Sequence, residues 1–108
     1  MDFDKYQYES NKTAKYPDEL AIEYLSLGMC SEAGEVAGKV KKIIRDDGRI
    51  ISAEKREDLS KEIGDVLWYV SQLALELDIP LSKIAKDNIT KLSKRLVENK
   101  ISGSGDNR

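Results

Sequence analysis

Ser31-Glu32-Ala33-Gly34-Glu35-Val36-Ala37-Gly38-Lys39-Val40 reads as the middle of a long amphipathic helix with a glutamate where a leucine is expected. At helical pitch Ile22, Leu25, Met29, Val36, Val40 and Ile43 fall in a stripe about 60° wide, the natural core face. Glu32 lies inside that stripe and Glu35 on its flank, three residues on, so both carboxylates share one side. Lys39 follows on the same flank, four residues after Glu35. A glutamate in a core stripe has little structural reason to be there.

Working outward, the chain divides into four helical segments. The second runs from near Asp18, a plausible N-cap, to about Arg45, and the turn Asp46-Asp47-Gly48 stops it. Ahead of it, a first segment covers roughly Asp4 to Ala14 and ends before Tyr16-Pro17. Ser52 is placed to cap a third, which runs to about Leu77 before Asp78-Ile79-Pro80 breaks it. A fourth follows from Leu81 or Ser82 to Glu98, and only Arg49–Ser52 has a strand-like pattern. The expected fold is all-α, a four-helix-type bundle over residues 1–100. Residues 101–108 form a Gly/Ser-rich tail, either a flexible terminus or a lid over a site.

The third segment repeats the acidic design. Leu59, Ile63, Val66, Val70, Leu73 and Leu77 make its stripe, Glu62 sits at the edge, Asp65 further round, and Tyr69 continues that flank. With the second and third helices packed antiparallel, the two acidic pairs face each other. Four carboxylates beside an apolar core must then protonate or bind a cation. An all-oxygen donor set favours Mg²⁺, with Mn²⁺ as a substitute, over zinc or copper, and magnesium commonly bridges carboxylates to phosphates. The plain alternative for each pair is a solvated face matched to nearby lysines.

Composition removes other chemistries. The 108 residues contain no histidine, which excludes His-based triads and His–Cys zinc sites. A net charge of −2 argues against nucleic-acid binding through bulk positive charge. No apolar run is long enough for a membrane span, and Met1–Lys5 is not a signal peptide. One cysteine, Cys30, forms no internal disulfide, so the expected compartment is a reducing cytoplasm. Cys30, Gly34 and Ala37 make a small-residue face suited to close helix packing, and Trp68, opposite its stripe, suits packing more than base stacking.

Ser31–Glu35 followed by Glu62-Ile63-Gly64-Asp65-Val66 resembles the Glu-x-x-Glu … Glu-x-x-Asp signature of the MazG-like nucleoside triphosphate pyrophosphohydrolases, of the all-alpha NTP pyrophosphatase superfamily. The likeness extends through Thr13–Pro17, Leu27–Met29, Lys41-Lys42, the Asp46–Gly48 turn, Asn88–Leu92 and Gly105–Arg108. It implies a helical bundle that assembles into a homodimer or homotetramer and cleaves a (deoxy)nucleoside triphosphate between the α and β phosphates. It further implies that Glu32, Glu35, Glu62 and Asp65 hold Mg²⁺ and orient the attacking water. By the same likeness Lys39 meets the phosphates, Tyr69 and Asn88 contact the nucleotide, and Lys91 and Arg95 line the triphosphate. A phosphoribosyl-ATP pyrophosphatase shares this chemistry but lacks the likeness at Thr13–Pro17 and Gly105–Arg108. The competing function is a non-catalytic nucleotide-sensing or protein-binding module that keeps the acidic site as a pocket. A ligand-free structural bundle leaves Glu32 unexplained.

Overall fold

The structure, a computed structural model, describes residues 1–98, and the tail expected at 101–108 lies outside the described residues. Four helices occur in the order α1 (Phe3–Asn11), α2 (Ala21–Asp46), α3 (Ala53–Glu76) and α4 (Leu81–Val97), with a short 3₁₀ turn at Asp18–Leu20 before α2. No strand forms among the described residues, and Ile50 and Ile51 of the strand-like stretch lie exposed in the α2–α3 connection.

Several ends fall where the sequence places them. Gly48 and Arg49 both take positive φ (58° and 67°) immediately after α2, a reversal that a glycine makes easy. Ser52 caps α3, its hydroxyl oxygen accepting from the Lys55 N–H at 3.1 Å. Other ends differ. Asp2, rather than a residue nearer Asp4, caps α1, and that helix stops at Asn11, where 3₁₀-type bonds from Lys12, Thr13 and Ala14 tighten the exit. Asp18 opens the 3₁₀ turn, and α2 begins at Ala21 with no side-chain cap.

The α2–α3 hairpin is the frame, two long antiparallel helices in contact along their length. Its covered core is small: Ala21, Leu25 and Ile43 from α2, Ala74 from α3, and Leu81 from α4. The predicted α3 stripe is only partly covered, for Ile63 is 58% and Leu77 54% exposed. On the other side of α3 the buried residues are instead Ser71 and Gln72, facing α1. The small-residue face is likewise uncovered among the described residues: Cys30 is exposed, and a side chain at Gly34 would meet none of them.

What holds α1 and α4 is polar. Buried Gln7 donates to the carbonyl oxygens of Ile79 (3.0 Å) and Ser71 (3.4 Å) and accepts from the Leu81 N–H (3.2 Å). Asp4 accepts from the Ser82 N–H (3.1 Å) and hydroxyl (2.8 Å), so α1 supplies the N-terminal cap that α4 lacks in its own sequence. Trp68 donates its indole N–H to Thr13 Oγ1 (2.9 Å) and the Ser10 carbonyl (3.2 Å), which commits it to packing against the end of α1. The helix α4 rests on α1 and on α3 and does not touch α2.

Replacing Asp4 by alanine removes the α4 cap and is expected to cost about 1 kcal/mol of stability, the usual magnitude for a capping side chain. Urea unfolding measures the loss, and faster amide exchange at Ser82 and its neighbours localises it.

Candidate active site

The antiparallel register sets Tyr69 of α3 beside Gly28 of α2, and one turn further along it sets Asp65 and Glu62 beside Glu32. One carboxylate oxygen from each of Glu32, Glu62 and Asp65 lies within 4.8 Å of the other two, close enough for a single cation to touch all three. Glu32 and Glu62 are half-buried between the helices and Asp65 is exposed at the mouth. Burial raises the Glu32 pKa above its ordinary 4.5, and the charges of Asp65, Glu62 and Glu35 raise it further. Glu35 stands outside the group of three, exposed one turn along α2, and acts on Glu32 through space.

Lys39 sits at the far edge of the cluster, its ammonium 3.6 Å from the Glu62 carboxylate. At the near edge is a group of tyrosines. Tyr24 stacks on Tyr16 with ring centres 5.9 Å apart, Tyr69 tilts against Tyr24 at 6.5 Å, and Trp68 meets Tyr69 edge-on at 5.0 Å. Burial raises the Tyr69 hydroxyl pKa, followed by the neighbouring Tyr24 hydroxyl and then the Glu32 and Asp65 charges. Tyr16 donates to Glu76 at 2.8 Å and is pushed up to about 12 by burial and that carboxylate. On α1, the Tyr6 hydroxyl is raised by burial and by Asp65, which places it at the border of the cluster.

The sequence-predicted residues therefore separate into two groups. Glu32, Glu62, Asp65, Lys39 and Tyr69 are gathered at the α2–α3 seam, with Glu35 flanking them. Asn88, Lys91 and Arg95 lie on α4, away from α2. Arg95 is 6% exposed; Asn88 and Lys91 are exposed and, with Ile79, Lys83, Ile84 and Asp87, line a separate groove. The cause is the Gln7 and Asp4 bonding, which fixes the start of α4 against α1 rather than against the acidic seam. Tyr6 and Tyr24 were missed, the first because it belongs to another helix, the second because it lies off the acidic flank. A signal for Tyr24 was available: it precedes Gly28 by one turn on the same helix, and only a glycine lets Tyr69 come that close.

Such a seam, carboxylates of two antiparallel helices converging beside a lysine and a tyrosine group in an all-α chain, defines a helical protein equipped to meet a cation and an anionic ligand together. The model of the MazG nucleotide pyrophosphohydrolase domain matches residues 21–98, the span that carries α2, α3 and α4. The chain is also 46% identical to the gene 37 protein of Mycobacterium phage L5, across the whole of both chains. No solved structure matches it. The chain belongs to the MazG nucleotide pyrophosphohydrolase family.

Two outcomes are expected of the seam itself. Because the folded chain favours protonated Glu32, that preference supports the fold below the ordinary carboxylate pKa and is lost as pH rises through the raised value. At pH 8 without divalent cations, Glu32→Gln should then melt a few degrees above the parent, with the difference closing toward pH 4. Gly28→Ala should cost about 1 kcal/mol, since displacing the Tyr69 ring outweighs the helix propensity gained; thermal melts and Tyr69 ring resonances report it.

Proposed function

We propose that the chain is a Mg²⁺-dependent nucleoside triphosphate pyrophosphohydrolase that cleaves a (d)NTP between its α and β phosphates, releasing (d)NMP and pyrophosphate. The observation that carries this reading is the convergence of Glu32, Glu62 and Asp65 on one point from two helices, with Glu32 half-buried and destabilised as an anion. Three hard oxygen donors, with neither thiolate nor imidazole among them, fit magnesium, and also manganese. Glu32, Glu62 and Asp65 would hold the ion, with Glu35 completing the set. A bound ion supplies charge neutralisation at the phosphates and polarisation of the scissile anhydride.

The chain's own groups would do the rest. Water adds to the α phosphorus, the bond from that phosphorus to the α–β bridging oxygen breaks, and the electron pair leaves with pyrophosphate. Glu35, exposed and outside the cluster of three, would accept the proton that the water loses. Lys39 balances charge developing on the phosphate oxygens. Tyr69, one helical turn from the acidic cluster, and Tyr24, about two turns from it, would contact the nucleoside. No covalent nucleophile is required, which suits a chain without histidine.

Self-association belongs to the same reading. The radius of gyration, 16.7 Å, exceeds the roughly 13 Å of a compact domain of this length. Leu27, Ile44, Ile63 and Ile89 are each more than half exposed. A homodimer or homotetramer would cover these side chains and could bring Asn88 and Lys91 of one copy toward the seam of another. No helix among the described residues is long and apolar enough to cross a membrane, and a reducing cytoplasm suits the lone thiol of Cys30.

The test is a panel of ribo- and deoxynucleoside triphosphates assayed with Mg²⁺ and with EDTA, reading both products. Metal-dependent monophosphate and pyrophosphate are expected in equal amounts, and Asp65→Asn should lower kcat at least about a hundredfold, as loss of a transition-state charge contact does. Orthophosphate in place of pyrophosphate would refute the bond assignment. Tight nucleotide binding without turnover would make the chain a nucleotide-sensing module instead.

A further inference from the structure

Beyond Lys39 the α2–α3 seam continues toward the turn that joins the helices, and there its charge changes sign. A cavity of about 160 Å³ opens between Lys39, Lys42 and Ile43 of α2 and Lys55 and Asp58 of α3. That volume matches roughly five waters, room for more than one phosphate group. Three of its five lining residues are cationic and one is anionic, so the lining carries net positive charge. Lys42 and Lys55 are exposed and make no ion pair with a described residue; Lys39 is engaged, loosely, with Glu62. The field of the two lysines reaches Asp46, whose pKa is lowered first by the Arg45 hydrogen bond and then, after an opposing desolvation effect, by Lys55 and Lys42. The cavity also borders the first turn of α3, where the helix dipole favours anions.

The order of these groups along the hairpin is what gives the cavity a role. On α2 the sequence is Tyr24, Glu32, Lys39, Lys42, and on α3, running the opposite way, it is Tyr69, Asp65, Glu62, Asp58, Lys55. Aromatic rings, carboxylates and lysines thus form three successive zones along one seam. Glu62 and Asp58 are one turn apart, about 6 Å along the axis, a distance the phosphates beyond the α position can span. Lys39 touches both zones, through Glu62 on one side and the cavity on the other.

We propose that the cavity lined by Lys39, Lys42, Lys55 and Asp58 is the subsite for the terminal phosphates of the substrate, which fixes its direction: nucleoside toward Tyr24 and Tyr69, pyrophosphate toward the α2–α3 turn. The assignment rests on the pyrophosphohydrolase reading for its substrate, while the anion site itself does not depend on turnover. Lys42 and Lys55 act there in binding and orienting the leaving group. The ammonium charges of Lys42 and Lys55, with the loosely engaged Lys39 beside them, repel one another around one cavity, and a bound polyphosphate removes that repulsion.

The test titrates pyrophosphate, orthophosphate and nucleoside monophosphates by calorimetry, in EDTA, into the full chain and into Lys42→Ala, Lys55→Ala and the arginine variants. Circular dichroism checks that each variant is folded. Pyrophosphate should bind without metal, and each alanine variant should weaken it about tenfold, the effect of losing one contact to a charged group. Arginine should restore most of the affinity, and monophosphate binding should be unchanged. In the hydrolysis assay the alanine variants should raise KM for the triphosphate more than they lower kcat. Equal pyrophosphate affinity in all variants would overturn the proposal. So would a loss of monophosphate affinity as large as that for pyrophosphate, which would turn the substrate around. Preference for orthophosphate over pyrophosphate would mark a free-phosphate site and overturn the assignment to the substrate chain. Lysine-dependent pyrophosphate binding in a chain that hydrolyses no triphosphate would uphold the anion site and sink the enzymatic reading alone.

Discussion

The approach of Glu32 to Glu62 and Asp65 is the constraint around which the molecule is arranged, because three carboxylates within 4.8 Å repel one another and the helices must hold them there. The chain does so with length. Helices α2 and α3 run antiparallel for six or more turns each, and their contacts on both sides of the cluster outweigh the repulsion within it. Gly28 admits the Tyr69 ring on one side, and Lys39 draws Glu62 back on the other. A site held by two long helices is kept in register by many contacts, none of which has to be strong. That arrangement also explains why so little of the chain is buried: the hairpin is organised along a seam rather than around a centre.

The polar bonding of α1 and α4 follows from the same layout. With much of the apolar surface of α3 left open, α1 is fixed to its other face by Gln7, Ser10, Ser71, Gln72 and Trp68, through hydrogen bonds between residues some sixty positions apart. Hydrogen bonds of this kind add only about 1 kcal/mol each but demand one geometry, so they position α1 more than they stabilise it. Asp4 and Gln7 then set where α4 begins, and α4 carries Asn88 and Lys91 outward on a helix with exposed Ile84, Ile89 and Leu96. The family match spans α2 to α4, so that outward helix lies within the matched domain.

How much of this was legible in the sequence depends on whether the information was local. The α2 stop at Gly48, the Ser52 cap and the break at Asp78 are written in adjacent residues, and the sequence places them correctly. Glu32 was legible because it violates a stripe that the neighbouring residues define. The position of α4 was not legible: where the helix begins follows from Asp4 and Gln7, more than seventy positions away from their partners. Buried Ser71 and Gln72 were hidden for a related reason, since a polar residue on a helix announces a partner only when that partner is within a turn or so. The lysine cavity is an intermediate case. Lys39 and Lys42 were visible as a basic stretch, but only the antiparallel register brings Lys55 and Asp58 to face them.

If the α2–α3 seam is a single divalent-cation site, Mn²⁺ binds there, and titration of Mn²⁺ followed by electron paramagnetic resonance reads that binding. Bound Mn²⁺ loses its free-ion signal, so the binding curve reads the site without any substrate. The account predicts saturable binding to the native chain that Mg²⁺ displaces, and its loss in both Glu62→Gln and Asp65→Asn. Equal weak binding by the native chain and both variants would contradict it.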